Sequence, residues 1–468
     1  MAKTEKGRGF FIQETEINDI LAKKISGDAT MVREVLHKSK ELQGLSMEDV
    51  ATLAAVSDSE LLRALFSTAR YVKETIYGQR LVIFAPLYIS NFCKNECTYC
   101  AFRAKNPLVQ RRALTQEEIA REIKILVEQG HKRVLLVAGE SYPDEGFAYL
   151  LHAIDTIYGI KSKKGEIRRI NVNIAPLTLQ EFRDLGDAKI GTYQLFQETY
   201  HGETYKKVHL GGKKRDYDWR ITAMDRAMEA GINDVGIGVL FGLFDWRFEI
   251  LAMMQHIRHL EEQFGVGPHT ISVPRLEPAM GSDMAAQPPY PVSDLDFRKI
   301  VAILRLAIPY TGIIMSTRET PNIRRETFAL GVSQISAGSR TNPGGYFKDV
   351  EETVGEQFSL GDHRPLGEVI RDVAALGYIP SFCTACYRLG RTGADFMDLA
   401  KPGEIKEHCD PNALSTFMEY LLDYATPNTR REGENLIEHV LSQMTGKQRS
   451  VSGKMLERIR SGKRDVFC

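Results

Sequence analysis

The sequence predicts an α/β protein: a closed (β/α)8 barrel of the TIM type, preceded by a helical layer and followed by a mainly helical extension. Three observations carry this reading. Short apolar runs recur at 81–85, 133–137, 169–174, 191–195, 234–239, 270–273, 312–315 and 332–336. Amphipathic stretches at helical spacing lie between them, such as 115–129 and 218–230, with 365–376 taken as the last. Strand runs alternating with helices imply a parallel sheet, and eight such units in about 250 residues match a closed barrel. An open sheet of six to eight strands is the alternative. Finally, 43% of the 468 residues are hydrophobic, enough for one large barrel with additions and too many for a disordered chain.

Residues 1–80 read as helical. Ser46-Met-Glu-Asp49 and Ser57-Asp-Ser-Glu60 both have the form of a helix start, the second a full capping box. Leu61, Leu62, Leu65 and Phe66 then follow at helical spacing. Thr115-Gln-Glu-Glu118 opens the first helix between strands. The expected division is a cap at 1–80, the barrel at 81–340 and a C-terminal unit at 341–468. No internal repeat or low-complexity segment interrupts it.

Lys plus Arg and Asp plus Glu both number 61, for a formal net charge of zero. Such a chain is not a general polyanion binder, so nucleic acid and acidic membranes drop as partners. No apolar run approaches the ~18 residues of a spanning helix. The start, MAKTEKGRGFFIQETE, lacks the apolar region of a secretory signal. The expectation is a cytoplasmic protein, in which cysteines bind metal or do chemistry rather than form disulfides.

Six of the seven cysteines fall in two groups of three. Cys93, Cys97 and Cys100 are spaced Cys-x-x-x-Cys-x-x-Cys, directly after the first strand. Three thiolates on so short a loop can each ligate a different iron of a cubane and leave the fourth iron open. Zinc with a distant fourth ligand, or three unrelated thiols, is the plainer reading. The second group is Cys383-Thr-Ala-Cys386 and, twenty-two residues on, Cys409. From spacing alone it suits an iron–sulfur cluster or a structural zinc completed by His408 or another residue equally well. Cys468 reads as a frayed, exposed thiol without a role.

The first spacing, with Tyr99 just before the third cysteine, resembles the radical S-adenosylmethionine (SAM) superfamily. The resemblance implies a [4Fe-4S] cluster on Cys93, Cys97 and Cys100 whose open iron binds SAM and cleaves it to a 5′-deoxyadenosyl radical, with Tyr99 near the adenine. Ala138-Gly139-Glu140, after the second strand, resembles the superfamily's Gly-Gly-Glu motif and puts Glu140 on the SAM amino group. Phe196-Gln197-Glu198-Thr199 resembles the acidic ribose-binding motif, giving Glu198 the ribose hydroxyls. Arg220 stands where an arginine pairs with the SAM carboxylate, and Gly236–Gly242 resembles the adenine-contacting segment. A lone Glu or Arg is usually a solvated surface charge. Four matches in order, each at the C-terminal end of a strand where barrel active sites sit, weigh against that.

The later strands resemble the tyrosine lyase branch. There an arginine after the seventh strand holds the amino-acid carboxylate, which implies Arg318 in Ser316-Thr-Arg-Glu-Thr-Pro321; a guanidinium fork suits a carboxylate. Ser336 or Ser339, in Ser336-Ala-Gly-Ser-Arg340, could add a hydrogen bond. The Val-Pro-Arg-Leu-Glu-Pro run of the sixth strand belongs to the same resemblance. A C-terminal triad spaced as Cys383, Cys386 and Cys409 is similar to that of the HydG-type [FeFe]-hydrogenase maturases, which implies a second iron–sulfur cluster carrying an extra iron. His269, placed at the barrel mouth after a Gly-Pro turn, is the implied ligand to that iron; neutral imidazole suits Fe(II). The plainer reading of His269 is a buried structural histidine.

The implied activity is a lyase that splits L-tyrosine to p-cresol and dehydroglycine, then to CO and cyanide, for an Fe(CO)2CN unit. The implied partners are tyrosine, SAM, a flavodoxin- or ferredoxin-like electron donor and a hydrogenase maturation scaffold, in an anaerobic organism. Two alternatives stand beside it: a ThiH-like 2-iminoacetate synthase of thiamine biosynthesis with a structural C-terminal metal, and a cluster carrier without turnover. The grouping of Glu140, Glu198 and Arg220 argues against the carrier.

Overall fold

The computed structural model describes residues 11–23, 28–143, 145–347, 355–400 and 404–468. Residues 1–10, part of the polar start on which the absence of a secretory signal was argued, lie outside them. Eight parallel strands form the barrel: β1 Arg80–Ser90, β2 Arg133–Ala138, β3 Arg169–Asn173, β4 Tyr193–Glu198, β5 Val235–Val239, β6 Thr270–Ser272, β7 Gly312–Met315 and β8 Val332–Ser336. Each pairs with its neighbour, and β8 returns to β1 through Val82–Gln334, Ile83–Ile335 and Phe84–Ser336. The ring is closed, as the alternation predicts.

Strand bounds differ from the apolar runs where the run and the pairing differ. β1 is eleven residues long and buried throughout, continuing past Pro86 because Leu87 and Ile89 keep filling the core. β4 starts two residues later than its run and extends to Glu198, so the ribose-type motif lies within the strand end rather than after it. The helix expected over 218–230 is two, Tyr217–Ile221 and Ala223–Glu229. The Thr222 hydroxyl donates to the Asp218 carbonyl at 2.6 Å between them.

Four helices, Glu14–Ala22, Ala29–Ser39, Met47–Ala54 and Ser59–Tyr77, form the N-terminal layer. Their start signals are the reverse of the expectation. The capping box is at Ser46 and Asp49, whereas the cap of Ser59–Tyr77 is Asp58, accepting from the Glu60 and Leu61 N–H groups. A carboxylate at the positive end of a helix outcompetes the serine one residue earlier. Leu61, Leu65, Ala69, Val72 and Ile76 of that helix are buried. Each large aliphatic contributes ~1.5–3 kcal/mol of burial. The Lys299 ammonium ties the layer down by donating to the Ala54 and Val56 carbonyls, both at 2.8 Å.

A ninth strand, β9 Ile379–Ser381, was not legible in the sequence. It pairs with Arg80–Val82 on the β1 edge that β2 occupies from Ala85 onward. The chain after β8 therefore comes back under the barrel, and the Arg133 guanidinium at the start of β2 donates to the Cys383 carbonyl at 2.7 Å. The helices Ile405–Asp423, Pro427–Gln443 and Gly446–Arg460 complete this lower layer. It is clamped by a buried ion pair, Arg168–Glu419 at 2.6 Å. Among the described residues no helix is long and apolar enough to cross a membrane.

Candidate active site and second cysteine site

The first cysteine loop leaves the C-terminal end of β1 and is held from the side. Glu96 N–H donates to Gly211, Leu210 N–H to Glu96 and Thr98 N–H to Val208, at 3.0, 2.8 and 2.9 Å. Gly139 presses on its back: a Cβ there would stand 2.3 Å from the Phe92 carbonyl oxygen, so no larger residue fits between β2 and the loop. Cys93, Cys97 and Cys100 line one cavity with Glu140, Glu198, Lys214, Arg220 and Gln357. Burial pushes all three thiols up, Cys93 to about 11, with Glu140 adding to the effect there. Dry thiols of this kind become good ligands once a metal replaces their protons.

Beside the thiols lies a buried ion network. Arg220 donates to the Glu140 carboxylate at 2.9 Å and to the Phe196 carbonyl at 2.8 Å, and stands 3.6 Å from Glu198. Lys214 donates to Glu198 at 2.7 Å, and Asn95 donates to Glu140 at 2.6 Å. Burial alone would raise Glu140, but Arg220 and Lys214 overcome it and hold the carboxyl below its ordinary range. Glu198 adopts a positive φ of 72° where the β4–β5 register shifts, a backbone conformation rare for its type. Tyr99 is fixed by its neighbour. His209 Nδ1 faces the Tyr205 carbonyl at 3.0 Å and must carry the proton, so Nε2 accepts from the Tyr99 hydroxyl at 2.8 Å.

A larger cavity opens from this one across the strand ends, lined by Tyr99, Cys100 and Glu198 on one side and Glu277, Arg318 and Ser336 on the other. The Arg318 guanidinium lies 3.2 Å from the Phe358 ring centroid and makes no side-chain hydrogen bond or ion pair among the described residues. Its backbone is fixed by the segment 355–364 folded over it: Gly361 and Asp362 N–H groups donate to Thr317 at 2.9 and 3.0 Å. A Cβ on Gly361 would stand 2.3 Å from the Arg318 carbonyl oxygen. Asp362 pairs with Arg324 at 2.6 Å, both fully buried, and Arg324 donates to the Ser336 carbonyl at 2.7 Å. Ser336 lines the cavity and accepts from Thr317 N–H through its hydroxyl. Ser339 is buried outside that lining, with its hydroxyl unpartnered among the described residues.

The second triad lies at the opposite end of the barrel. Cys383, Cys386 and Cys409 line a cavity with His269, Asp234, Arg80, Arg133 and Arg391. His269 immediately precedes β6, so it is at the floor of the barrel, not at its C-terminal mouth where the sequence reading put it. Its strand is only three residues long, and the Gly-Pro turn stands at the strand's start. Burial pushes the imidazole below its ordinary range, and the Asp234 carboxylate, 3.3 Å from Nδ1, opposes that shift. His408 is not part of this lining. The proximity of the two thiols pushes Cys386 up and holds Cys409 down, with Arg80 and Arg391 also favouring the Cys409 thiolate. Buried nitrogens of Arg80, Arg133 and Arg391 have no hydrogen-bond partner among the described residues. Three cations around three thiols fit an anionic, thiolate-ligated cluster. Among the described residues no three Cys, His, Asp or Glu side chains close on a single metal ion.

Cys468 is pinned, contrary to the frayed end expected. Its N–H donates to Asn412 at 2.8 Å and its carbonyl accepts from Arg391 at 2.7 Å. That contact braces an arginine of the second cavity.

Comparison with known proteins agrees with this layout. The Radical SAM superfamily model matches residues 87–254, and the Biotin and Thiamin Synthesis associated domain matches 272–379. The 2-iminoacetate synthase of Escherichia coli (strain K12) is 32% identical over 340 residues, 72% of this chain and 86% of that protein. A crystal structure of HydG, a maturase of the [FeFe]-hydrogenase, superposes with a TM-score of 0.94 at 49% identity, covering 98% of this chain and all (100%) of that one. The chain belongs to the HydG family of radical SAM enzymes. The HydG structure from Carboxydothermus hydrogenoformans, at 41% identity and a TM-score of 0.84 over 97% of this chain and 100% of its own, agrees. Membership brings a [4Fe-4S] cluster and SAM. The site also uses residues that sequence reasoning missed: Asn95, Lys214, His209, Gln357 and Glu277. Asn95 lies inside the first cysteine motif and Glu277 in the Val-Pro-Arg-Leu-Glu-Pro run, while Lys214, His209 and Gln357 carry no motif.

Proposed function

We propose that this chain is a tyrosine lyase that supplies CO and cyanide for the iron unit of the [FeFe]-hydrogenase. One observation carries the reading most: the two cysteine triads occupy opposite ends of one barrel, each facing its own cavity. Cys93, Cys97 and Cys100 would hold a [4Fe-4S] cluster, which with SAM supplies the 5′-deoxyadenosyl radical. Glu140 takes the SAM amino group and Glu198 the ribose hydroxyls. Arg220 turns from the carboxylates it now neutralises to share the SAM carboxylate, and Tyr99 packs at the adenine. Arg318 holds the tyrosine carboxylate as a fixed cation, with Ser336 supporting it; Ser339, outside the cavity, is the weaker candidate.

Hydrogen is then taken from the tyrosine amino group, and the Cα–Cβ bond breaks to p-cresol and dehydroglycine. The closed barrel keeps the reactive products from solvent. At the floor, Cys383, Cys386 and Cys409 would hold a second cluster, and His269 offers a neutral nitrogen to the extra iron, the cargo that receives CO and cyanide. In this reading 1–80 is a cap, 81–340 the SAM and tyrosine barrel, and 341–468 the second-cluster unit. A flavodoxin- or ferredoxin-like donor and a hydrogenase maturation scaffold are its partners, in the cytoplasm of an anaerobic organism. A 2-iminoacetate synthase would leave the gathering of three cysteines, His269 and three arginines without a purpose. The test is anaerobic incubation of the iron-reconstituted chain with tyrosine, SAM and a reductant. Joint formation of p-cresol and CO supports the proposal; p-cresol with no CO moves it to 2-iminoacetate synthesis.

A further inference from the structure

Two charged side chains that line the large cavity have no hydrogen-bond or ion-pair partner among the described residues. Arg318 is one. The other is Glu277, which follows β6 on a stretch fixed from both sides: Leu276 N–H donates to Phe241 at 2.8 Å, and Ser359 N–H donates to Pro278 at 2.8 Å. The Glu277 carboxylate makes no hydrogen bond or ion pair among the described residues, yet it lines the cavity together with Arg318. Three neighbouring carboxylates are engaged. Glu319 and Asp294 are both bound by Arg275, and Glu198 is bound by Lys214.

An α-amino acid enters as a zwitterion, and Arg318 can neutralise only its carboxylate. We propose that Glu277 receives the substrate's ammonium group and takes one proton from it. This rests on the tyrosine lyase reading and adds the residue that reading lacks. One N–H bond of the ammonium breaks, its electron pair stays on nitrogen, and the proton goes to a Glu277 carboxylate oxygen; no electron is exchanged. The amine so formed is the species from which the family reaction withdraws hydrogen. Glu277 suits the exchange. Burial and the negative charge of Glu319 push it up to about 7, while Arg318 and Arg275 restrain the rise and Asp294 adds to it.

The test uses the full, reconstituted chain and two probes, L-tyrosine and 3-(4-hydroxyphenyl)propanoate, which lacks the amino group. Glu277→Gln should weaken L-tyrosine binding about tenfold or more and leave the propanoate within about twofold of wild type. Glu277→Asp, with the charge on a shorter arm, should recover part of the loss. In the wild type, kcat/KM for p-cresol should rise with pH through about 7, and that limb should vanish in Glu277→Gln. The inference is overturned if Glu277→Gln binds tyrosine as the wild type does, or loses both ligands alike. A wild-type chain that binds neither probe overturns the lyase reading underneath it.

Discussion

The clamp over the large cavity can be broken at one atom. In Asp362→Asn the side chain keeps its shape but loses the charge that neutralises Arg324, which is fully buried, and Arg364. An arginine left without a counter-charge at zero exposure costs about 3–5 kcal/mol. Burial already depresses the Arg324 guanidinium to about 10, so the unpaired cation has nowhere to shed its desolvation. Arg324 also donates to the Ser336 carbonyl, and Asp362 N–H holds Thr317 beside Arg318. The damage should therefore reach the large cavity around Arg318 and spare the Glu140–Arg220 network across the barrel. Thermal unfolding of wild type and Asp362→Asn at equal cluster content should show the loss at pH 7. The pH dependence has a definite sign. Burial would raise Asp362, but Arg364 and Arg324 hold it below its ordinary 3.8, so its contribution is complete above that value. It is withdrawn as the pH falls through the folded-state value, and the gap between the two proteins should narrow there. The tyrosine KM should rise while SAM affinity stays put. Equal unfolding temperatures at pH 7, or SAM and tyrosine affected alike, would refute the reasoning.

Other consequences can be checked alongside. Cys97→Ala should abolish reductive SAM cleavage, measured as 5′-deoxyadenosine, because the buried thiol set loses one of its three ligands; a normal rate would remove the cluster from that loop. Arg318→Ala should raise the tyrosine requirement sharply while uncoupled SAM cleavage continues; a parallel loss of SAM binding would place Arg318 in the cofactor site instead. Arg220→Ala should weaken SAM binding by roughly 1.5–3 kcal/mol, read by titration calorimetry, if it removes one charge-assisted hydrogen bond.

The barrel was legible because its strands are largely buried and read as short, mostly apolar runs between amphipathic helices. The first cysteine loop was legible because its three thiols fall within eight residues, a spacing that a local pattern can carry. What escaped has a physical pattern too. β9 is three residues with a proline in the middle, and nothing local marks such a segment as a strand; only the free lower edge of β1 makes it one. Lys214 and Asn95 are ordinary polar residues until the fold sets them against Glu198 and Glu140. His269 was recognised by type, but its end of the barrel depends on which side of a three-residue strand it falls. The cap at Asp58 shows the same limit at one-residue scale: Ser-Asp-Ser-Glu offers two adjacent caps, and the charged one wins.

The measurement that bears most directly on the central claim is product analysis of Cys386→Ser beside the wild type, with the metal of the purified chain quantified. The second triad sits at the barrel floor, away from the large cavity and the Glu140–Arg220 network. The account predicts that p-cresol continues to form, that dehydroglycine hydrolyses to glyoxylate, and that CO falls to background. CO at the wild-type rate from Cys386→Ser, or zinc in place of iron at the wild-type triad, would contradict it.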